Sequence, residues 1–217
     1  MLNKTNSNYM QFQQLKNFRL PRGFRGKPAI YVQCWWIAQR LLFKTSPQFM
    51  YAWRRFLLRS FGAQIGKKVK VRPSVHIQFP WKVSIDDYSW IGDQVVLYSL
   101  GNISIGKNVV VSQKSYLCTG SHDYTDPNFS IFAEPITIED SCWLATDVFV
   151  SPGVTVRNGT VVGARSSVFY SLPAGKICVG SPAVAVKNRT TETSTPHLYH
   201  TLYQHVNDEL PQKKVVR

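Results

Sequence analysis

No aspartate or glutamate occurs before Asp86, although that stretch carries sixteen lysines and arginines. From Asp86 onward the chain holds ten basic and twelve acidic residues, so the formal charge of +14 belongs to the first part. A segment this basic attracts a polyanion or an anionic membrane surface. Its aromatic companions, Trp35, Trp36, Phe43, Tyr51, Trp53, Phe56 and Phe61, suit a membrane interface at least as well as a nucleic acid. No nucleic-acid partner is expected. The plainer reading, aromatics packed on the main domain and cations in solvent, stands beside it.

Cysteine is scarce and scattered. Cys34, Cys118, Cys142 and Cys178 include no C-x-x-C pair, which excludes a disulfide framework and a zinc cluster and fits a reducing cytoplasm. Long apolar runs are missing too. The uncharged stretch from Pro28 to Gln39 is too short to cross a bilayer, and no signal-peptide cleavage pattern accompanies it. A cytoplasmic protein is expected, with peripheral membrane contact through residues 1–62 as an option. The 217 residues suffice for one domain with a sizeable core.

What the chain does have is a repeat. Written in blocks of six, residues 65–172 begin with Ile65, Val71, Ile77, Ile85, Ile91, Leu97, Ile105, Val111 and Leu117. After a gap the leaders are Ile138, Leu144, Val150, Val156, Val162 and Val168, all aliphatic. Four residues after most leaders stands a small or β-branched residue, such as Val69, Ser89, Val109, Ser115, Ser121, Cys142 or Ser166. Glycine often follows the leader directly, at Gly66, Gly92, Gly106 and Gly163, where positive φ at a corner is expected.

Short flat strands that turn a corner every six residues stack coil on coil. Each coil buries its leader inside a narrow prism, and no coil can bury its apolar side alone. Ile65, Ile85 and Ile105 are twenty apart, three hexads plus two extra residues per coil. An alternating β-sandwich shows period two without this recurrence. The expected fold is mainly β, a left-handed parallel β-helix over residues 63–190.

The coil from Ile105 to Ile138 spans thirty-three residues, thirteen more than its predecessor. The excess forms a loop over residues 120–135, with His122 where scaffold gives way to loop, a usual place for binding and catalysis. Ahead of the coils, residues 1–62 form a basic, aromatic helical segment. One helix is expected from about Pro28 to Lys44 and another from about Pro47 to Phe61, with Phe49, Trp53, Phe56, Leu57 and Phe61 on its apolar side. These helices would cap the open end of the coil stack. Residues 191–217 form a tail in which Leu198, Leu202, Val206 and Leu210 permit a helix.

Several stretches together resemble one family. They are Ser46-Pro47, Trp53 to Arg59, Phe61-Gly62-Ala63, Pro80-Trp81 and Leu117-Cys118-Thr119-Gly120-Ser121-His122-Asp123-Tyr124. The chain is similar to the colanic-acid biosynthesis acetyltransferases over roughly residues 45–190. These belong to the hexapeptide-repeat acetyltransferases, with the galactoside, maltose and nodulation enzymes. Residues 135–145, 152–156 and 180–183 match the wider group.

The resemblance implies a homotrimer with active sites between neighbouring prisms, acetyl-CoA as co-substrate and no metal. It implies His122 as general base, with Ser121, Asp123 and Tyr124 on the acceptor side. Ala145, Thr146, Ala164 and Arg165 match positions along the pantetheine arm. Ser181, Val184, Lys187 and Arg189 match positions near the nucleotide end, although Phe169 and Val184 depart from the polar residues usual there. The acceptor it suggests is a saccharide or lipid-linked oligosaccharide of exopolysaccharide assembly at the inner membrane face. A nodulation-type oligosaccharide, maltose, galactoside or antibiotic acceptor, and a non-enzymatic membrane- or polyanion-binding solenoid, are the alternatives.

The chemistry is consistent with such a base. Moving acetyl from a thioester to an alcohol requires the hydroxyl proton to leave as oxygen attacks, a task suited to imidazole. A backbone N–H or the Ser121 hydroxyl would hold the oxyanion. Asp123 could orient the imidazole, bind sugar hydroxyls or cap the loop. Cys118 directly follows a core leader and direct transfer needs no acyl-enzyme, so both it and Cys142 read as structural. Trp143 shapes a cleft wall or packs between subunits. His76, His197, His200 and His205 read as solvated. A zinc site of three histidines, known on this fold, is disfavoured because only His76 and His122 fall within the coils.

Overall fold

Residues 12–190 are described by a computed structural model; the expected tail helix, with His197, His200 and His205, lies outside them. The repeat folds as its pattern dictates. Strands of two or three residues begin each hexad, and each coil hands its backbone N–H groups to the carbonyls of the next. Gly66 N donates to Ile85 O at 2.7 Å and Asp86 N to Ile105 O at 2.8 Å. Three parallel sheets form the faces of a prism of about six turns, a left-handed parallel β-helix.

The first sheet contains Gln64–Ile65, Val83–Ile85, Ile103–Ile105, Ile136–Ile138 and Thr155–Val156. The second contains Lys70–Val71, Trp90–Ile91, Val110–Val111, Trp143–Leu144 and Val161–Val162, and ends in the hairpin Lys176–Gly180 and Ala183–Asn188. The third contains His76–Ile77, Val96–Tyr98, Tyr116–Cys118, Phe149–Val150 and Ser167–Val168. Leaders pair with leaders one coil away, Ile65 with Ile85 and Leu97 with Leu117, so they form continuous buried columns.

The second inward position is also buried, and its hydroxyls are used. Ser89 Oγ accepts from Val109 N at 2.9 Å and donates to Gly106 O at 2.6 Å. A larger residue would lose these bonds and the space. Ser121 departs from the expected column: it lies exposed on the loop hairpin, and Thr119 is buried instead, donating to Tyr98 O at 2.7 Å.

The corners differ from expectation. Positive φ falls three residues after the leader, at Lys68, Tyr88, Gln94, Asn108, Lys114, Ser141, Asp147 and Arg165 among others. The glycines directly after leaders are needed for space. A Cβ on Gly66 would meet Asp87 N at 2.6 Å, and one on Gly106 would meet Asp140 N at 2.8 Å.

The amino-terminal helices lie on the open end of the stack. Helix α1 (Ala29–Ala38) continues into a π-helical turn, Gln39–Phe43, and α2 spans Tyr51–Ser60. The expected apolar side of α2 is wrong in part: Phe49 and Phe56 are exposed, and Arg54 is buried with Leu57 and Leu58. The first coil has no predecessor, so its carbonyls need donors. Arg54 Nε bonds Val71 O at 2.7 Å, Arg55 bonds Val69 O at 3.0 Å and Arg59 Nε bonds Ile65 O at 2.9 Å. The Trp35 indole serves Ile77 O at 2.8 Å, and Gln39 Oε1 accepts from Ile77 N at 2.7 Å. Part of the basic segment is thus the terminal rung of the sheets. His76 is likewise half-buried rather than solvated, between Gln39 and Gln78, and burial lowers its pKa.

Candidate active site

The long loop is a hairpin. Gly120–His122 pairs antiparallel with Ile131–Ala133, His122 opposite Ile131. It grows from the third sheet: Tyr116–Cys118 runs through Thr119 straight into Gly120, and the Cys118 thiol donates to Gly120 O. The tip, residues 123–130, is closed by polar side chains. Asp123 accepts from Thr125 N at 2.8 Å and the Thr125 hydroxyl at 2.6 Å, and Asp126 accepts from Asn128 N at 2.9 Å and from the Ser130 hydroxyl. Of the three roles open to Asp123, loop capping is the one its bonds serve.

His122 is half-buried and its orientation is fixed twice. Its ring stacks on Phe129, centroids 4.2 Å apart and planes 10° from parallel. Its Nδ1 lies 2.8 Å from Phe129 O, an atom that can only accept, so Nδ1 carries the proton and Nε2 presents its lone pair. Phe129 adopts φ of +54°, the turn conformation that lets one residue offer both ring and carbonyl to the same imidazole. On another side stands Phe18, 5.8 Å from the His122 ring. Phe18 belongs to an amino-terminal strap that bonds the loop through Gln14 N to Pro127 O at 2.7 Å. The strap is pinned further along, where Trp81 Nε1 bonds Arg25 O and the Lys82 ammonium bonds Phe24 O and Leu100 O.

The other expected residues are distributed unevenly. Ser121 and His122 are successive on one strand, so their side chains take opposite faces and the Ser121 hydroxyl is turned from the imidazole. Tyr124 stands almost free at the tip. Ala145-Thr146 and Ala164-Arg165 occupy the corner between second and third sheets, with Arg165 paired to Asp147 at 3.6 Å. The turn holding Ser181 reaches the same corner, since Gly180 N bonds Ser166 Oγ at 3.1 Å, and Val184 opposes Val179 beside it. Lys187 and Arg189 do not. They lie toward the opposite corner, where Arg189 bonds Ser141 O at 2.7 Å and Gly159 O at 3.0 Å.

A hollow of about 460 Å³ opens on the third sheet, lined by Lys114, Tyr116, Cys118, Asp147, Val148 and Phe149. Outward rings run along this face, Tyr98 to Tyr116, Tyr116 to Phe149 and Phe149 to Phe169, each about 6 Å apart. Burial pushes the Tyr116 hydroxyl up to about 12 and raises the Cys118 thiol, which keeps both neutral. A second hollow, about 380 Å³ on the first sheet, is lined by Ser84, Ser104, Asn158 and the carboxylates of Asp86, Glu139 and Asp140, with no histidine or cysteine among its lining residues. The third-sheet strand Tyr116–Cys118 lines the first hollow and runs on to the His122 hairpin, which makes this face the candidate site. Within one chain the Ala145 corner precedes the third-sheet strands and His122 follows them, so the two lie at opposite ends of that face.

Among the described residues no group of three His, Cys, Asp or Glu side chains could hold a metal ion. No family model matches the chain. It is 60% identical over 177 residues to the colanic acid biosynthesis acetyltransferase WcaF of Escherichia coli (strain K12), covering 82% of this chain and 97% of that one. The chain belongs to the WcaF family of hexapeptide-repeat acetyltransferases. Two solved structures are similar to this chain. A hexapeptide-repeat acetyltransferase of Vibrio cholerae, solved with acetyl-coenzyme A, has a TM-score of 0.70 at 26% identity, covering 81% and 96% of the two chains. A maltose O-acetyltransferase of Clostridium difficile 630, at 21% identity and TM-score 0.69 over 75% and 90% of the chains, shares the fold.

Sequence reasoning passed over Phe129, whose carbonyl acts regardless of side chain, and Phe18, which is distant in sequence. The outward aromatic row was legible: Tyr98, Tyr116, Phe149 and Phe169 each stand next to a leader.

Proposed function

We propose that this acetyltransferase moves acetyl from acetyl-CoA to a hydroxyl of an exopolysaccharide saccharide of the colanic-acid type, by direct transfer with His122 as general base. One observation carries the reading: an imidazole whose Nδ1–H is committed to Phe129 O, leaving Nε2 as the accepting nitrogen, on the hairpin that continues a strand lining the aromatic groove. Nε2 takes the acceptor hydroxyl proton as its oxygen attacks the thioester carbonyl, and the imidazolium returns a proton to the departing thiolate. The Phe129 carbonyl stabilises the charged ring. With the Ser121 hydroxyl facing away, a backbone N–H is the better oxyanion donor.

The working unit in this reading is a homotrimer. The corner of Ala145, Thr146, Ala164, Arg165, Ser181 and Val184 on one protomer would face His122 of the next, which supplies what the separation within one chain withholds. Acetyl-CoA would lie along that corner, with Lys187 and Arg189 outside its reach. The protein would work at the inner face of the cytoplasmic membrane, where a lipid-linked oligosaccharide presents its sugars.

The test is an acceptor screen with acetyl-CoA, followed by free-thiol release. Acetyl transfer to a saccharide, lowered at least about a hundredfold in His122→Ala with folding and CoA binding retained, is the expected result. Undiminished transfer by that variant would overturn the role of His122.

A further inference from the structure

Capping the coils uses one side of each amino-terminal helix and, among the described residues, leaves the other side exposed. On α1 the buried side is Val32, Trp35 and Ala38, and the opposite side runs Ile30, Cys34 and Ile37 to Leu41, spaced four, three and four apart. Ile30 is 73% exposed, Ile37 58% and Leu41 59%; on α2 and its approach Phe49 is 79% and Phe56 59% exposed. The two stripes are joined, because the Trp53 ring lies 5.8 Å from that of Phe56, tilted by 32°, and its indole bonds Leu42 O at 3.0 Å. Large aliphatic and aromatic side chains grouped this way on a surface mark an interaction site.

The charges beside this surface select the partner. Arg54, Arg55 and Arg59 are committed to first-coil carbonyls, whereas Arg40 and Lys44 stand exposed among the apolar stripes. Residues 12–62 contain no carboxylate side chain to repel an anionic surface or to pair with these cations. Apolar side chains at helical spacing, indoles at the margin and cations without acids are what an anionic lipid interface takes up.

We infer that α1, the π-helical turn and α2 form an interfacial docking surface that seats the end of the β-helix on an anionic lipid bilayer. Ile30, Ile37, Leu41, Phe49 and Phe56 enter the headgroup–acyl boundary, and Arg40 and Lys44 meet lipid phosphates. The inference gives the proposed membrane location its surface and rests on the trimer only for multiplicity. Cyclic symmetry turns all three caps toward the same side, so one flat membrane engages three weak patches at once.

The experiment is flotation of the intact protein with vesicles of phosphatidylglycerol and phosphatidylethanolamine, against phosphatidylcholine alone, at low salt. Wild type is expected to float with the anionic vesicles and to be released by salt. The Ile37→Glu/Leu41→Glu variant should float at least about tenfold less, and Arg40→Glu/Lys44→Glu about fivefold less per charge. Thiol release with a soluble acceptor and the molecular mass in solution should stay unchanged in both. Cys34, within the outer stripe, should react more slowly with a water-soluble disulfide reagent once anionic vesicles are added. Failure of wild type to float, equal flotation of the variants, or a fall in mass in Ile37→Glu/Leu41→Glu would overturn the inference, the last by making the patch a contact between chains. Flotation without acetyl transfer would sink the active-site reading and leave this one standing.

Discussion

The Phe129 ring lies 4.2 Å from the His122 ring while the Phe129 carbonyl accepts the hydrogen bond of His122 Nδ1–H at 2.8 Å. One residue thereby fixes both the plane of the imidazole and the nitrogen left free. Phe129→Gly keeps the carbonyl and the positive φ but removes the stack. It should lower kcat about tenfold with KM for acetyl-CoA unchanged, through lost orientation alone. A KM rise with kcat intact, in steady-state kinetics, would show that the ring binds substrate instead.

The hairpin tip carries its own pH dependence. The Thr125 hydroxyl and N–H hold the Asp123 carboxyl below its usual range, and the Ser130 hydroxyl with Asn128 N–H does the same for Asp126. A carboxyl whose folded pKa is depressed stabilises the fold above the unfolded value, near 3.9, and loses that contribution as pH falls through the lowered one. Protection of the Asp123 amide, bonded to Ser130 O at 2.8 Å, should hold from neutrality to about pH 5 and fade below about 4. Hydrogen exchange corrected for intrinsic rates measures this. Protection lost near pH 6 would assign the tip to some other group.

Arg54 predicts a stability effect that charge counting misses. Its buried guanidinium serves Val71 O, Pro47 O, Gln48 O and Ser46 Oγ. Arg54→Leu strands several buried acceptors and should cost about 3 kcal/mol in urea unfolding, whereas Arg55→Leu, which forfeits one bond, should cost about 1 kcal/mol. Equal costs would mean that the open edge is satisfied by water.

The four thiols should separate by reactivity. Cys34 is exposed, burial raises the pKa of Cys118 and Cys178, and Cys142 is pushed up to about 11. A disulfide reagent at neutral pH should therefore find one fast thiol in the folded protein. Cys118→Ala should keep full acetyl transfer, since a thiol held neutral does not carry acetyl. Loss of activity in that variant would revive an acyl-enzyme.

Much of this was legible in the residues. The leaders Ile65 to Val168 dictated three columns of buried aliphatics, and the excess length after Ile105 located the loop with His122 at its root. Two features escaped because they belong to the backbone. The corner glycines answer to neighbouring amides such as Asp87 N, which no single coil reveals, and Phe129 acts through its carbonyl. The side of α2 was misjudged at Arg54 because hydropathy assigns arginine to solvent, whereas an open sheet edge demands donors. Lys187 and Arg189 share a strand region with Val184, but an extended strand carries them to the far corner of the prism.

The strap links these observations to acceptor choice. Lys82 lies half-buried beside Phe24 and bonds its carbonyl at 2.7 Å, Trp81 bonds Arg25 O at 2.8 Å, and the same segment brings Phe18 to 5.8 Å from His122. Among the described residues no hydrogen bond or ring contact links this strap to the corner of Ala145 and Thr146, where acetyl-CoA is proposed to lie. Lys82→Met keeps the apolar stem but releases the strap, so the wall beside the imidazole loosens while the donor groove does not. KM for the saccharide should rise about fivefold with KM for acetyl-CoA unchanged. Phe18→Ala should reproduce that change without altering stability, because its ring touches the site and not the coil stack. If both variants raised KM for acetyl-CoA instead, the strap would border the donor, and the acceptor would have to approach His122 from the opposite side of the hairpin.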